Sequence, residues 1–216
     1  MNITLPLKTN IRETGVADPL KFYYLPIASS FYKARFADAV RMLGGRVGTL
    51  LDIGCGSGIF LPELKKHCDR LIACDFHPHL AKTAEMLRAE KLDGVTLIRS
   101  DARVLPIADE SVDAVVCMSV LEHLHDVETP ADEFYRVLRP GGVAVIGVPV
   151  ENMMTDAMLR TSFLLLPNAS LDDEHVSTHT DIFRSFSRRF TAERGLNIPR
   201  LLPEQLRMYR TVRFRK

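Results

Sequence analysis

The chain has 216 residues, of which 46% are hydrophobic and 25% charged, and its formal net charge at pH 7 is +1. This composition is typical of a globular domain that is long enough to bury a sizeable core. The nearly neutral charge gives no reason to expect a nucleic-acid partner. No apolar run approaches the ~20 residues of a membrane span, and residues 1–10 lack the long apolar core of a signal peptide. We therefore expect a cytoplasmic protein.

The cysteines agree with that expectation. None of the four forms a CxxC pair, and three fall on or beside apolar runs that resemble strands. Small buried thiols in a reducing compartment are favoured over disulfides or a zinc site. The four residues are Cys55, Cys68, Cys74 and Cys117.

Apolar periodicity predicts an N-terminal helix over residues 29–43, followed by alternating strands and helices. The predicted strands are 49–53, 71–74, 95–98, 112–118, 143–148 and 206–214. The further predicted helices are 59–67, 78–91, 130–138 and 180–194. Strands that alternate with helices imply an α/β fold with a parallel sheet and right-handed crossovers.

The most informative stretch is residues 50–58, where an apolar strand ends in an acid and then in three alternating glycines. In an open parallel sheet, ligands bind beyond the carboxyl ends of the strands. Asp52, Asp75 and Asp101 mark three successive strand ends. Asp75 follows Asp52 by 23 residues. An acid about 20 residues beyond the glycine turn is where a ribose diol finds its hydrogen-bond acceptor. These residues predict a site for an adenosine-containing cofactor.

The glycine spacing narrows the cofactor class. Dinucleotide turns read GxGxxG, whereas this turn reads GxGxG, and Ile59 stands where the third dinucleotide glycine would fall. No Lys-Ser/Thr pair follows, which excludes a P-loop. A turn without a phosphate signature fits a cofactor with adenosine and a cation, and Asp52 places an acid near that cation. A nicotinamide oxidoreductase is accordingly disfavoured.

Five motifs in order resemble those of the class I S-adenosylmethionine-dependent methyltransferases, and most closely the broad group that includes the quinone-biosynthesis enzymes. The motifs are Leu51–Gly58, Ser100–Ala102 with Leu105-Pro106, Asp113–Val116, Leu121–His123 and Arg136–Gly142. The resemblance covers residues 49–149. It implies a Rossmann-like three-layer sandwich with a seven-stranded, mostly parallel sheet of order 3-2-1-4-5-7-6, whose last strand is antiparallel.

The resemblance also implies S-adenosylmethionine as the cofactor and assigns roles to individual residues. Backbone at the glycine turn would approach the methionine end, and Asp52 would fix its amino group. Asp75 would accept hydrogen bonds from the ribose hydroxyls, and Asp101 from the adenine amino group. Ala102 would offer its amide to the ring. The predicted cofactor site comprises Asp52, Gly54, Cys55, Gly56, Asp75, Phe76, Asp101, Ala102, Met118 and Ser119.

The implied organisation is a single domain over residues 1–216. Residues 1–48 would form a helical lid or cap, residues 49–149 the cofactor-binding core, and residues 150–216 a substrate-side insert with the C-terminal strands. The implied function is methyl transfer to a small-molecule acceptor, with apolar or lipid-like chemistry favoured. The alternative is a catalytically silent S-adenosylmethionine-binding subunit or regulator.

Two histidines are candidate general bases for an acceptor that must lose a proton. His123 is the first candidate and His179 the second, although His123 also suits a helix-capping or packing role. Some relatives with a Leu-Glu-His stretch place another carboxylate just before it and bind a divalent cation. Residues 118–120 contain no acid, so no metal is expected. Cys55, between two glycines, is interpreted as a small filler and not as a nucleophile.

Apolar stretches at residues 22–32 and 153–167 flank the predicted core. Core packing is the default interpretation, and a hydrophobic lid or a peripheral membrane contact is the alternative. From Asp181 onward, ten Lys or Arg residues stand against three acids. This excess indicates solvated faces or, alternatively, an anionic partner. The identity of the acceptor and the oligomeric state carry no sequence signature.

Overall fold

The computed structural model describes residues 2–14, 20–26, 28–150, 175–203 and 206–216. The predicted apolar stretch 153–167 lies outside the described residues. The strands are β1 (Val47–Ile53), β2 (Cys68–Asp75), β3 (Val95–Arg99), β4 (Val112–Met118), β5 (Leu138–Pro149), β6 (Thr191–Ile198) and β7 (Tyr209–Arg215). The α-helices are α1 (Ala28–Leu43), α2 (Leu61–Leu64), α3 (Leu80–Ala89), α4 (Glu128–Val137) and α5 (His179–Ser187). Short 3-10 helices cover Leu20–Tyr24, Lys65–His67 and Leu121–His123.

All seven strands form one sheet of order β3-β2-β1-β4-β5-β7-β6. β7 runs antiparallel to both of its neighbours, and the other pairs are parallel. The predicted strand order and the single antiparallel strand are therefore confirmed.

Helices cover both faces of the sheet. Successive side chains of a strand point to opposite faces, so each central strand contributes residues to two cores. On β1, Leu50 joins a core with α1, α2 and α3, whereas Leu51 joins a second core with α4 and α5. Val115 and Val116 of β4 are fully buried, one in each core. This double burial explains why β4 reads as an almost unbroken apolar run.

The N-terminal arm, residues 2–14, is tied to helices of the first core. The backbone amide of Thr4 donates to the carboxylate of Glu63 at 2.8 Å, and that of Leu7 donates to Glu90 at 2.8 Å. In the stretch 22–32, Tyr23 is buried and stacks on Phe36, with 5.1 Å between the ring centroids. Core packing is thus the role of Tyr23.

The helix predicted over 180–194 is wrong over residues 188–194, about two turns. α5 ends at Ser187, and residues 191–194 belong to β6. β6 is an edge strand whose first five residues are exposed. An exposed edge strand needs no alternation of apolar and polar residues, so the period-two signal was missing.

β5 is longer than predicted, since it begins at Leu138 and includes the Pro-Gly-Gly segment. Its register against β4 shifts between Val112 and Ala114. Within the described residues, no helix has the length and apolar character needed to cross a membrane.

Candidate functional site

Three acids stand at the carboxyl ends of three adjacent strands. Asp52 is the penultimate residue of β1, Asp75 is the last residue of β2, and Asp101 lies two residues beyond β3. These strands are parallel neighbours in the order β3-β2-β1. The three carboxylates therefore follow one edge of the sheet, where an open α/β fold binds its ligand.

In the glycine turn after β1, Gly54 and Gly56 have backbone conformations that residues with a Cβ atom rarely adopt. Gly54 has φ of +78°, and a Cβ on it would overlap the side chain of Val120. Gly56 has φ of +50°, and the nearest atom to its Cβ position is the Thr14 hydroxyl at 4.0 Å. Gly54 is therefore required by packing, whereas Gly56 leaves space in which a ligand can approach the backbone.

Asp52 is a buried acid, with 4% of its surface exposed. Burial and the nearby charge of Asp75 raise the pKa of Asp52 to about 8. A cationic ligand would stabilise the ionised form of this buried carboxyl group, because the cation offsets the free-energy cost of ionising it. The site thus fits a cofactor that presents an ammonium group to β1.

Asp75 is held by the glycine turn. One carboxylate oxygen accepts from the amide of Gly56 at 2.7 Å, and the other accepts from the amide of His77 at 3.0 Å. A carboxylate offers about four lone-pair positions, so it retains capacity for a ribose diol. The neighbouring Phe76 is 67% exposed and presents an open ring beside this position.

Asp101 is engaged by Arg103 across a 2.6 Å ion pair. The hydrogen bonds from Arg103 hold the pKa of Asp101 below its usual value. An adenine amino group at Asp101 would have to share the carboxylate with Arg103. Ala102 is buried beside it.

At the end of β4, Ser119 adopts a left-handed backbone with φ of +58°. Such a conformation is uncommon for residues other than glycine and often marks a functional position. The Ser119 hydroxyl forms a 2.9 Å hydrogen bond with the hydroxyl of Tyr209, and it accepts from Nη2 of Arg35 at 2.5 Å. Met118 is the last residue of β4 and packs at the edge of the first core.

Sequence reasoning missed Arg35 and Tyr209. Arg35 is only 7% exposed, and its guanidinium lies 4.3 Å from the ring centroid of Tyr209 and 5.1 Å from that of Tyr32. A signal was present, because helical spacing places Arg35 on the apolar stripe of α1 with Tyr32, Phe36 and Ala39. Burial opposes the charge of Arg35, but the surrounding tyrosine hydroxyls and Glu122 raise its pKa overall.

After β4, the structure brings His123 together with His175. The two rings are 5.3 Å apart, and potential ligand atoms of Glu122, His123 and His175 lie within 4.8 Å of one another. The amides of Val176 and Ser177 donate to the carbonyl of Glu122, which holds His175 in place. These three side chains could hold a divalent cation; the absence of a metal stays a prediction.

Cys55 is buried, and burial, with Asp52 and Asp75 nearby, raises the pKa of its thiol well above the usual value. A protonated thiol is a poor nucleophile, which agrees with a filler role. All four cysteines are buried and free. His179, the second candidate base, begins α5.

Comparisons with known proteins show what the central part of the chain is similar to. Residues 51–146 match the family model described as a methyltransferase domain. The demethylmenaquinone methyltransferase of Thermobifida fusca is 36% identical over 98 residues, which are 45% of this chain and 42% of that protein. The phosphatidylethanolamine N-methyltransferase of Cereibacter sphaeroides is 37% identical over 116 residues, 53% of this chain and 55% of that protein. The chain spans about half the length of the curated relatives it matches.

Among solved structures, the N-methyltransferase NodS from Bradyrhizobium japonicum WM9 in complex with S-adenosyl-L-homocysteine has a TM-score of 0.69 at 23% identity. The match covers 93% of this chain and 94% of that chain. At 23% sequence identity, this structural similarity shows that the two chains share a fold. Residues 51–146 thus resemble a methyltransferase domain, and the chain shares the fold of this solved methyltransferase. The strand-end acids and the open glycine turn fit S-adenosylmethionine as a cofactor.

Proposed function

We propose that the protein transfers a methyl group from S-adenosylmethionine to a small-molecule acceptor. The observation that carries this proposal is the row of Asp52, Asp75 and Asp101 along the strand ends, with the open backbone of Gly56 between the first two. When bound, the cofactor supplies a methyl group that its sulfonium already activates. The protein's own task is to orient the two reactants and exclude water.

Each part of the cofactor is assigned to the end of a different strand, in the order β1, β2, β3. Asp52 receives the ammonium of the cofactor, Asp75 the ribose diol, and Asp101 with the Ala102 amide the adenine. Phe76 offers its exposed ring to the adenine face. This arrangement leaves the carboxyl ends of β4 and β5 and the amino end of β7 for the acceptor.

An apolar or lipid-like acceptor remains the favoured class. Two relatives named above act, by their names, on a quinone and on a phospholipid. Half-buried aromatic rings of the N-terminal region, including the stacked pair Phe22 and Tyr32, offer apolar surface. If the acceptor carries a removable proton, His123 is the first candidate base and His179 the second. The cytoplasmic location stays a prediction.

Calorimetric titration with S-adenosylhomocysteine tests the cofactor site. We expect a micromolar Kd that rises at least tenfold in Asp75→Ala, because two charge-assisted hydrogen bonds are lost at about 1.5–3 kcal/mol each. Asp93→Ala, which removes an exposed acid from the turn before β3, should bind as the unchanged protein does. Absence of binding to the unchanged protein would refute the proposal.

Transfer is tested separately, with S-adenosylmethionine labelled in its methyl group. Label is expected to enter a component of a metabolite or lipid extract. Binding of the cofactor without transfer to metabolite, lipid or protein extracts would favour the silent binding subunit instead. Binding of NAD(P)H in place of S-adenosylhomocysteine would favour an oxidoreductase.

A further inference from the structure

The peptide group of Gly56, in the glycine turn, is held at both ends. Its amide donates to Oδ2 of Asp75 at 2.7 Å. The carbonyl oxygen of Gly56 lies 3.2 Å from Nε2 of His77 and accepts from the hydroxyl of Thr83 at 2.8 Å. Because glycine lacks a Cβ atom, its backbone has more conformational freedom than that of other residues. The side chains of His77 and Thr83 therefore restrain a peptide that would otherwise rotate readily.

The hydrogen bonds of His77 determine which of its ring nitrogens carries the proton. Nδ1 accepts from the backbone amide of His79 at 2.9 Å, so this nitrogen presents a lone pair. A neutral imidazole has one donor nitrogen and one acceptor nitrogen, which places the proton on Nε2. Nε2 is therefore the donor to the carbonyl of Gly56. The side chain of His77 is only 17% exposed, so water has little access to this bond.

His77 also contacts Asp75, the other partner of the Gly56 peptide. Its backbone amide donates to Oδ1 of Asp75 at 3.0 Å, and Nε2 lies 3.9 Å from the same oxygen. Asp75, Gly56 and His77 thus form a closed ring of hydrogen bonds at the end of β2. Each carboxylate oxygen of Asp75 accepts from one amide, which fixes the plane of the carboxylate and leaves lone pairs for a ligand.

We propose that His77 is a positioning residue of the cofactor site, which holds the Gly56 peptide so that the carboxylate of Asp75 stays oriented toward the ribose hydroxyls. The inference rests on the proposed function, in which Asp75 binds the ribose. Without the bond from Nε2, the Gly56 peptide can turn away from Asp75. Restoring its orientation when the cofactor binds would then cost free energy and lower the affinity.

Two amide variants separate the bond to Gly56 from the local turn at His77. In His77→Asn, the side-chain oxygen lies near the position of Nδ1 and can still accept from the amide of His79, but no donor reaches Gly56. In His77→Gln, the longer side chain brings its NH2 group near the position of Nε2. The Kd for S-adenosylhomocysteine, measured by calorimetry on the full chain, should rise roughly three- to tenfold in His77→Asn, the effect of one hydrogen bond. It should rise less than about twofold in His77→Gln, which keeps that bond.

His67→Asn is the matched control. His67 also bonds through Nε2, to Glu63, but it lies directly before β2, at the opposite edge of the sheet. This substitution should leave the Kd for S-adenosylhomocysteine unchanged.

A double-mutant cycle with Asp75→Ala distinguishes positioning from a general loss of structure. Because His77 acts through Asp75, adding His77→Asn to Asp75→Ala should raise the Kd less than about twofold further. An equal rise in both backgrounds would overturn the inference. So would an unchanged Kd in His77→Asn, or equal losses in His77→Asn and His77→Gln, and this comparison stands whatever the affinity of Asp75→Ala. If the unchanged protein does not bind S-adenosylhomocysteine, the proposed function itself fails.

Discussion

The buried carboxyl of Asp52 links cofactor binding to pH. Its pKa of about 8 results from burial and from the charge of Asp75, so the group is largely protonated at pH 7 when no ligand is bound. The ammonium of the cofactor favours the ionised form. Binding at pH 7 is therefore expected to release a proton, and the affinity for S-adenosylhomocysteine should rise by up to about tenfold per pH unit between roughly pH 6 and 7.5.

Calorimetry in two buffers with different ionisation enthalpies measures the released proton. Asp52→Asn keeps the shape of the side chain but cannot ionise, so it should bind more weakly, release no proton and show a flat pH profile. An unchanged protein whose affinity is constant across this pH range would contradict the assignment.

The sequence predicted those site residues that follow a strand directly, but not those whose site contacts join residues far apart in the chain. Asp52, Asp75 and Asp101 were predictable because each follows its own strand, and parallel strands share their carboxyl edge. Arg35 and Tyr209 were not, since the contacts that define them join residues 84 and 90 positions apart. Local periodicity marks Arg35 as a charge on an apolar stripe, but it cannot name the partner.

Among the elements, α5 depends on its N-terminal cap. The hydroxyl of Thr178 accepts from the amide of Asp181 at 3.2 Å, and the helix buries Ile182 and Phe186 in the second core. Thr178→Ala should lower the free energy of unfolding by about 1 kcal/mol, because an amide at the helix start loses its partner. Urea denaturation would show this as a lower midpoint with an unchanged slope.

Thr178→Ser provides the matched comparison for this cap. Serine retains the accepting oxygen, so most of the stability should return. A serine variant that is as destabilised as the alanine variant would show that the methyl group, and not the hydroxyl, stabilises α5.

The elements that the sequence missed or misplaced are the ones with little buried surface. β1 and β4 were predicted closely because burial on both faces imposes an apolar run. β6 lies at the sheet edge, where Thr191–Gly195 are exposed. It pairs with β7 through backbone hydrogen bonds and through ion pairs from Glu193 to Arg213 and Arg215, neither of which produces an apolar pattern in the sequence.

At the scale of the whole molecule, the sheet combines distant parts of the chain. β7, near the C-terminus, lies between β5 and β6, and its residue Tyr209 reaches Ser119 beyond β4. α1, from the N-terminal region, reaches the same place through Arg35. Periodicity alone could not give this order; the resemblance to a known family supplied it. Because α1 packs on the sheet to which the C-terminal β7 belongs, we expect residues 1–216 to unfold as one unit.

Scanning calorimetry tests this single-domain expectation. A ligand at about 100 times its Kd stabilises the folded state by about 2.7 kcal/mol, which for a domain of this size shifts Tm by about 5 to 11 °C. Saturating S-adenosylhomocysteine should therefore move one unfolding transition upward as a whole. Asp75→Ala at the same ligand concentration should show a smaller shift. Two transitions, of which only one responds to the ligand, would mean that the cofactor-binding core unfolds independently of the segments that flank it.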